Sequence, residues 1–330
     1  MWKFRSLFLA CAALVLGPPI GPAQAQIART FVSALSGSDA NNCDRPTPCR
    51  TFQHAHDNTL ANGEITVLDP GGYGAVMITK NISIINDGVG EAGVLVSGGA
   101  TGITVNAPGA AVTLRGLTIK GIGFGGGGGI TLAAAHAVTV ENSAIRNMSS
   151  CGILCGGDGI AVTSSTATAL AVTNTVVSDN SNNGILFLPT VSGSTLVTGV
   201  LDHVGLYNNG GAGLSVIGAG STGGRITVMA TDSVAANNGT PGNLGGFVVQ
   251  SSTGAAITFL HLSRCTAVNN PGNGALASGT PAIMLVNTSV IQFNDSGWVA
   301  ASGAQIFTYG DNELGSNNTN QGAQTSIGKL

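Results

Sequence analysis

Charge is what this sequence has least of. Asp, Glu, Lys and Arg together make up 8% of its 330 residues, about a third of the ~25% usual in globular proteins. Aromatic residues are also sparse, at 5%. The solvent-facing surface must therefore be built from Thr, Ser, Asn and Gly. Such a surface excludes a coiled coil, whose flanking positions carry charge. It equally excludes a basic nucleic-acid binder, which needs clustered Lys and Arg. Hydrophobic residues nevertheless reach 43%, so the chain is not of the apolar-poor, charge-rich kind that stays disordered. Beyond the N-terminal segment no stretch attains the ~18 apolar residues of a membrane helix, and no membrane insertion is expected.

The first 25 residues read as a secretory signal peptide: a basic start at Lys3 and Arg5, an apolar run from Leu7 to Leu16, and small residues at Ala23 and Ala25. Cleavage is expected after Ala25, with a secreted or periplasmic destination. A lipoprotein would use Cys11, but the apolar run before it is too short. Removing Lys3 and Arg5 leaves 10 basic against 15 acidic residues, a net charge of −5. That gives no electrostatic reason to expect nucleic acid or an anionic membrane as partner. Five cysteines then remain. Cys43 and Cys49 flank two prolines in Asn-Cys-Asp-Arg-Pro-Thr-Pro-Cys, and in an oxidising compartment a local disulfide is the leading reading, with free thiols the alternative. Cys151 and Cys155 could close a second small loop. Their spacing is loosely zinc-like, but no matching His or Cys pair follows. Cys265 is the odd one, expected in the core or stacked on a strand.

What is abundant is Gly, 51 residues of it, and it recurs with a period. Gly102-Ile-Thr-Val, Gly129-Ile-Thr-Leu, Gly159-Ile-Ala-Val, Gly184-Ile-Leu-Phe, Gly213-Leu-Ser-Val, Gly246-Phe-Val-Val and Gly274-Ala-Leu-Ala are spaced 25 to 33 residues apart. Each is followed by a second alternating run, such as Ala137 to Val140, and then by a third short run ending in Asn. Alternation with period two means that each strand buries one face. One repeat cannot bury that face alone, but stacked repeats share a continuous core. The terminal asparagines, Asn147, Asn180, Asn209, Asn238, Asn270 and Asn294, are expected to hydrogen-bond from coil to coil as a ladder inside a turn. Low charge fits the stacking, since like charges ~4.8 Å apart on neighbouring strands repel.

These repeats resemble the right-handed parallel β-helix proteins of the pectate-lyase-like superfold. The resemblance covers roughly residues 65–312. A nearer likeness, to exported β-helix proteins, rests on Cys43 to Cys49, on Leu68-Asp-Pro-Gly-Gly-Tyr-Gly74 and on Ile78-Thr-Lys-Asn-Ile-Ser-Ile84. The fold implied is all-β, a single-stranded solenoid of about eight or more coils. Residues 26–64 would form an N-terminal cap, with one helix over Arg50 to Leu60 whose apolar side is Phe52, Ala55 and Leu60. Residues 313–330 would be a polar, frayed tail.

Chemistry-bearing residues are few. Gly121-Ile-Gly-Phe-Gly-Gly126 matches a dinucleotide pattern only formally, since a strand follows instead of the required helix. His54 and His56 do not share a helix face. The β-helix lyases, hydrolases and esterases use clustered acids with Arg, Lys or His, and those local motifs are missing. Asp158, Glu141 and Arg146 form a loose group read as surface. Aligning the repeats on Ser143, Thr175, Val204, Ser233, Cys265 and Ser289 brings His203, Asp232 and Arg264 onto three consecutive coils, with Asp202 beside His203. A His next to an Asp can act as general base, and an Arg can steady a sugar hydroxyl or an oxyanion. A salt-bridged surface column is the plainer reading. The function expected is a glycan-binding or surface-scaffold protein without catalysis and without metal or other cofactor, its partner a polysaccharide met on a flat Thr/Ser/Asn face. The alternative is a polysaccharide lyase, hydrolase or esterase using His203, Asp232 and Arg264.

Overall fold

The computed structural model describes residues 27–122, 127–150, 156–242, 244–320 and 324–328. The proposed signal peptide, Cys151, Cys155 and most of the Gly121 to Gly126 run lie outside them. Three parallel sheets of 12, 10 and 9 strands run the length of the molecule, here called A, B and C. A typical coil passes through Ile185–Phe187 in sheet C, Ser192–Asp202 in sheet A and Gly205–Tyr207 in sheet B. The next coil repeats it as Leu214–Ile217, Thr222–Thr231 and Val234–Ala236, stacked in register.

Alternation within each strand builds the core. Val197 and Leu201 point inward with Ile226, Val228 and Ala230 from the next coil, then Leu260 and Leu262, then Met284 and Val286, all at most 1% exposed. Each large aliphatic side chain buried this way contributes ~1.5–3 kcal/mol. Gly199 breaks the pattern at an inward position because the Phe187 ring fills the space where its Cβ would be.

The periodic glycines have a single steric cause. A Cβ on Gly102, Gly159, Gly184, Gly213, Gly246 or Gly274 would lie 2.5 to 2.9 Å from the carbonyl oxygen of the corresponding glycine one coil on. Five of them, from Gly159 to Gly274, also sit against the ladder amides of Asn180, Asn209, Asn238, Asn270 and Asn294. No side chain fits between coils there.

That ladder lies in the turn from sheet B to sheet C. Asn180 Nδ2 donates to Asn209 Oδ1 at 2.9 Å, Asn209 Nδ2 to Asn238 Oδ1 at 2.9 Å, and Asn270 Nδ2 to Asn294 Oδ1 at 2.8 Å. Each Oδ1 also accepts the backbone N–H of the preceding rung, and each Nδ2 from Asn209 onward reaches a backbone carbonyl. The chain runs on to Asn317. Asn147, expected as the first rung, is not in it. Asn147 occupies the preceding, left-handed position with φ 61°, equivalent to Asp179, Asn208, Asn237 and Asn269. Met148 takes the rung, fully buried, and only its N–H bonds to Asn180 Oδ1.

The stack extends past residues 65–312 at both ends. Ile27–Val32 pairs parallel with Thr59–Val67 before the coil proper. Beyond Asn312, Glu313–Gly315 stacks on Val290–Gln292 and Gln324–Ser326 on Gln305–Thr308, so the tail is not simply frayed. The cap helix is shorter than expected, Phe52–Asn58. Thr51 caps it by accepting from His54 N–H, while Leu60 falls in the following strand and is exposed. Phe52 and Ala55 are buried, and Phe52 meets Tyr73 at 5.0 Å between ring centroids. Cys43 and Cys49 are joined in a disulfide that closes the loop before this helix.

Candidate functional site

From the coil of Glu141 to that of Asn287 only two residues link sheet A to sheet B. The first of them bends the chain in left-handed conformation: Asn142, Asn174, His203, Asp232, Arg264 and Thr288, with φ between 46° and 54°. Asn, Asp and His tolerate this region best among non-glycine residues. The next position is a hydroxyl relay that holds the column in register. Ser233 Oγ accepts Val204 N–H at 3.1 Å, and Ser289 Oγ accepts Cys265 N–H at 3.1 Å. Cys265 stands in the same column as a free, buried thiol, its pKa pushed up to about 11 chiefly by burial.

His203, Asp232 and Arg264 thus stand at one position of three successive coils, side chains outward. Arg264 grips Asp232 through both carboxylate oxygens, Nε to Oδ1 at 2.8 Å and a terminal nitrogen to Oδ2 at 2.6 Å. These bonds hold the Asp232 carboxyl below its usual pKa, so it is an acceptor and not a proton donor. His203 pairs with Asp202 instead, Nδ1 to Oδ1 at 3.0 Å, and Thr231 Oγ1 donates to the same oxygen at 2.9 Å. Asp202, His203 and Asp232 bring ligand atoms within 4.8 Å of one another. A divalent cation could use such donors, but Arg264 already occupies both oxygens of Asp232.

Sequence reasoning missed the aromatic component. Tyr207 lies on the outer face of sheet B in the same coil as His203. Its ring is folded back over Gly205: a Cβ there would meet Tyr207 Cζ at 2.8 Å and the hydroxyl oxygen at 2.9 Å. In register with Gly205 stand Val176 and Val234, and one coil further out Ala144 and Thr266. The signal was the glycine itself, in mid-strand and facing outward where its neighbours carry side chains.

The outer face of sheet A differs from the expected flat polar surface. It is Thr113, Thr139 and Ala171 in the early coils, but Val200, Met229, His261, Leu285 and Phe307 along the same column later. Asp158, read as surface, is buried; desolvation raises its pKa against two hydrogen bonds from Asn183.

A single chain wound into three parallel sheets, with stacked one-residue turns and an amide ladder, defines a right-handed parallel β-helix of pectate-lyase-like type. The sequence matches the right handed beta helix region over residues 52–228 and again, overlapping, over 101–291. The chain belongs to that family. Among solved structures it is similar to pectate lyase Pel9A, with a TM-score of 0.52 and 15% identity over 92% of this chain and 78% of that one. It is also similar to a GH136 lacto-N-biosidase from Eubacterium ramulus (TM-score 0.42, 10% identity, 91% and 68% covered). The pectin methylesterase of Aspergillus niger gives a TM-score of 0.40 and 13% identity, with 94% and 88% covered. No curated protein matches in sequence.

Proposed function

We propose that the protein binds polysaccharide without cleaving it, through the A-to-B turn and the adjoining outer face of sheet B. The observation that carries this reading is the Tyr207 ring, folded back over Gly205 a few residues from His203 and its partner Asp202. An aromatic ring on an outer face offers a stacking surface for the C–H face of a sugar. Asp202, His203, Asp232 and Arg264 supply acceptors and donors for hydroxyls at its edge. The site sits on an outer corner of the coil, with His203 61% exposed, and water is not excluded from it as strong electrostatic catalysis requires.

One observation favours an alternative. The His203–Asp202 pair beside Arg264 is the arrangement a lyase, hydrolase or esterase would need for proton abstraction next to an oxyanion. A glycan array combined with a reducing-end release assay on the same sugars separates the two. Binding without release supports the first reading, and release abolished by His203→Ala supports the second. No binding on a broad array sinks both.

Export completes the proposal. The disulfide suits an oxidising compartment, and Lys3 to Ala25 supply a signal peptide cut after Ala25. N-terminal sequencing of secreted protein should begin at Gln26; a lipidated Cys11 would overturn it.

A further inference from the structure

Charge avoidance governs this stack, and one place violates it. Lys120 and Arg146 face each other in register on adjacent strands of sheet B, in Leu117–Gly121 and Ala144–Arg146. Neighbouring parallel strands are ~4.8 Å apart, and like charges directly opposite one another destabilise a sheet. Elsewhere opposite charges meet across coils, as Arg115 with Asp87 and Arg264 with Asp232, and Arg115 stands in register with Glu141. Among the described residues Lys120–Arg146 is the only like-charged pair in strand register.

Neither cation is neutralised by the protein. Among the described residues Arg29, Arg115 and Arg264 have carboxylate partners, and Arg50 and Lys80 donate to backbone carbonyls. Lys120 and Arg146 have no ion pair or hydrogen bond among them. The nearest acid along the column, Asp179, is held by Ser178 Oγ at 2.6 Å and Asn208 Nδ2 at 3.1 Å. Arg146 is exposed and Lys120 half-buried. The same outward column continues through Ser178 to Tyr207, and beside it run Thr118, Ala144, Val176 and Gly205, a floor of small and mid-sized side chains.

We propose that Lys120 and Arg146 form an oxyanion site, taking a carboxylate or sulfate ester of a linear polymer that continues along sheet B to Tyr207. One oxyanion bridging the ammonium and the planar guanidinium fork turns the repulsion into two charge-assisted contacts. The distance suits one chain: Arg146 and Tyr207 are two coils apart, ~10 Å along the axis. The polymeric part of this inference rests on the glycan reading above; the oxyanion site does not.

The test uses full-length protein, the double variant Lys120→Gln/Arg146→Gln, and Tyr207→Ala. Melting is followed in sodium sulfate and in sodium chloride of equal ionic strength. Affinity is measured for carboxylated, sulfated and neutral oligosaccharides of equal length. Sulfate should raise the Tm of the native protein more than that of the double variant, which in chloride should melt no lower than native. Acidic oligosaccharides should bind at least tenfold tighter than neutral ones, and the double variant should erase that preference while Tyr207→Ala weakens both classes. The carboxylated and sulfated arms identify which group is taken. Neutral and acidic sugars binding equally, unaffected by the double variant, would overturn the oxyanion site and leave glycan binding intact. Sulfate stabilisation confined to native protein, with no saccharide bound, would uphold the oxyanion site and remove the glycan reading. Equal sulfate response in native and double variant would overturn the site outright.

Discussion

Arg264 closes on Asp232 with two parallel hydrogen bonds across a coil boundary, both residues in left-handed backbone. The pair ties two coils at the surface, yet both partners remain in solvent, where ion pairs contribute little to stability. Asp232→Asn should leave Tm within a few degrees, because Asn keeps the left-handed turn and an acceptor. Under the binding reading no sugar release is gained or lost. A fall in turnover by orders of magnitude, with Tm unchanged, would establish the enzyme reading.

The amide ladder predicts a sharper stability contrast. Asn238→Ala or Asn270→Ala removes an Oδ1 that accepts two buried N–H groups, and should cost about 1–3 kcal/mol. Thr227→Ala, on the outer face of sheet A, should cost less than ~0.5 kcal/mol. Chemical melts giving the same loss at both positions would mean that the amides are not load-sharing.

Gly205→Ala tests the aromatic platform without touching it. The new methyl group must evict the Tyr207 ring, which swings on a flexible side chain and so costs little stability. Saccharide affinity should fall about as far as in Tyr207→Ala. Affinity retained in Gly205→Ala but lost in Tyr207→Ala would show that the ring need not lie over Gly205.

The cap carries a pH dependence. His56 is 3% exposed, and burial, helped by nearby Lys80 and opposed by Asp57, pulls its pKa below 6.5. Its Nε2 accepts Thr79 N–H at 3.2 Å, which a protonated ring cannot do. The unfolded chain therefore binds the proton more readily than the folded one. Stability supplied by neutral His56 is complete above about pH 6.5 and is lost as pH falls toward the depressed value. Hydrogen-exchange protection across Phe52–Asn58, taken relative to the intrinsic rate at each pH, should fall between pH 7 and 5, and His56→Gln should flatten that change.

The disulfide should act locally. Cys43 and Cys49 are six residues apart, and closing so short a loop is worth ~2 kcal/mol on the chain-entropy account. Cys43→Ser/Cys49→Ser should raise exchange in the cap while the coils beyond Gly102 keep their protection. Loss of protection spreading evenly to Asn294 would mean that the cap governs the whole stack.

Much of this architecture was legible because stacking forces periodicity. From Asn142 to Thr288 the A-to-B turn opens on one left-handed residue in each coil, so aligning Ser143, Thr175 and Ser233 put His203, Asp232 and Arg264 on three successive coils. The B-to-C turn varies in length and carries two consecutive polar positions. Ile145-Arg-Asn147 looked like Val177-Ser-Asp-Asn180 cut short, and nothing in the letters distinguished a left-handed Asn from a ladder Asn. Ile27–Val32 and the strands after Asn312 were missed because end coils need not repeat their neighbours' pattern. Tyr207 was invisible for another reason. Its role comes from a rotamer folded over Gly205, and a side chain's direction along the sheet is not written in period-two alternation.

Met148 gives the molecule a seam. From Asn180 to Asn317 the rungs are joined by side-chain amides, and each coil that loosens leaves its neighbour's buried amide unpaired. Toward the N-terminus of Met148 no such amide ladder joins the described residues. Pulled or heated, the solenoid should therefore part as two cooperative blocks and not as a uniform zipper. The boundary falls between the two coils that carry Lys120 and Arg146 and the coil that carries His203 and Tyr207, so a ligand spanning both would also be a clasp across the weakest joint.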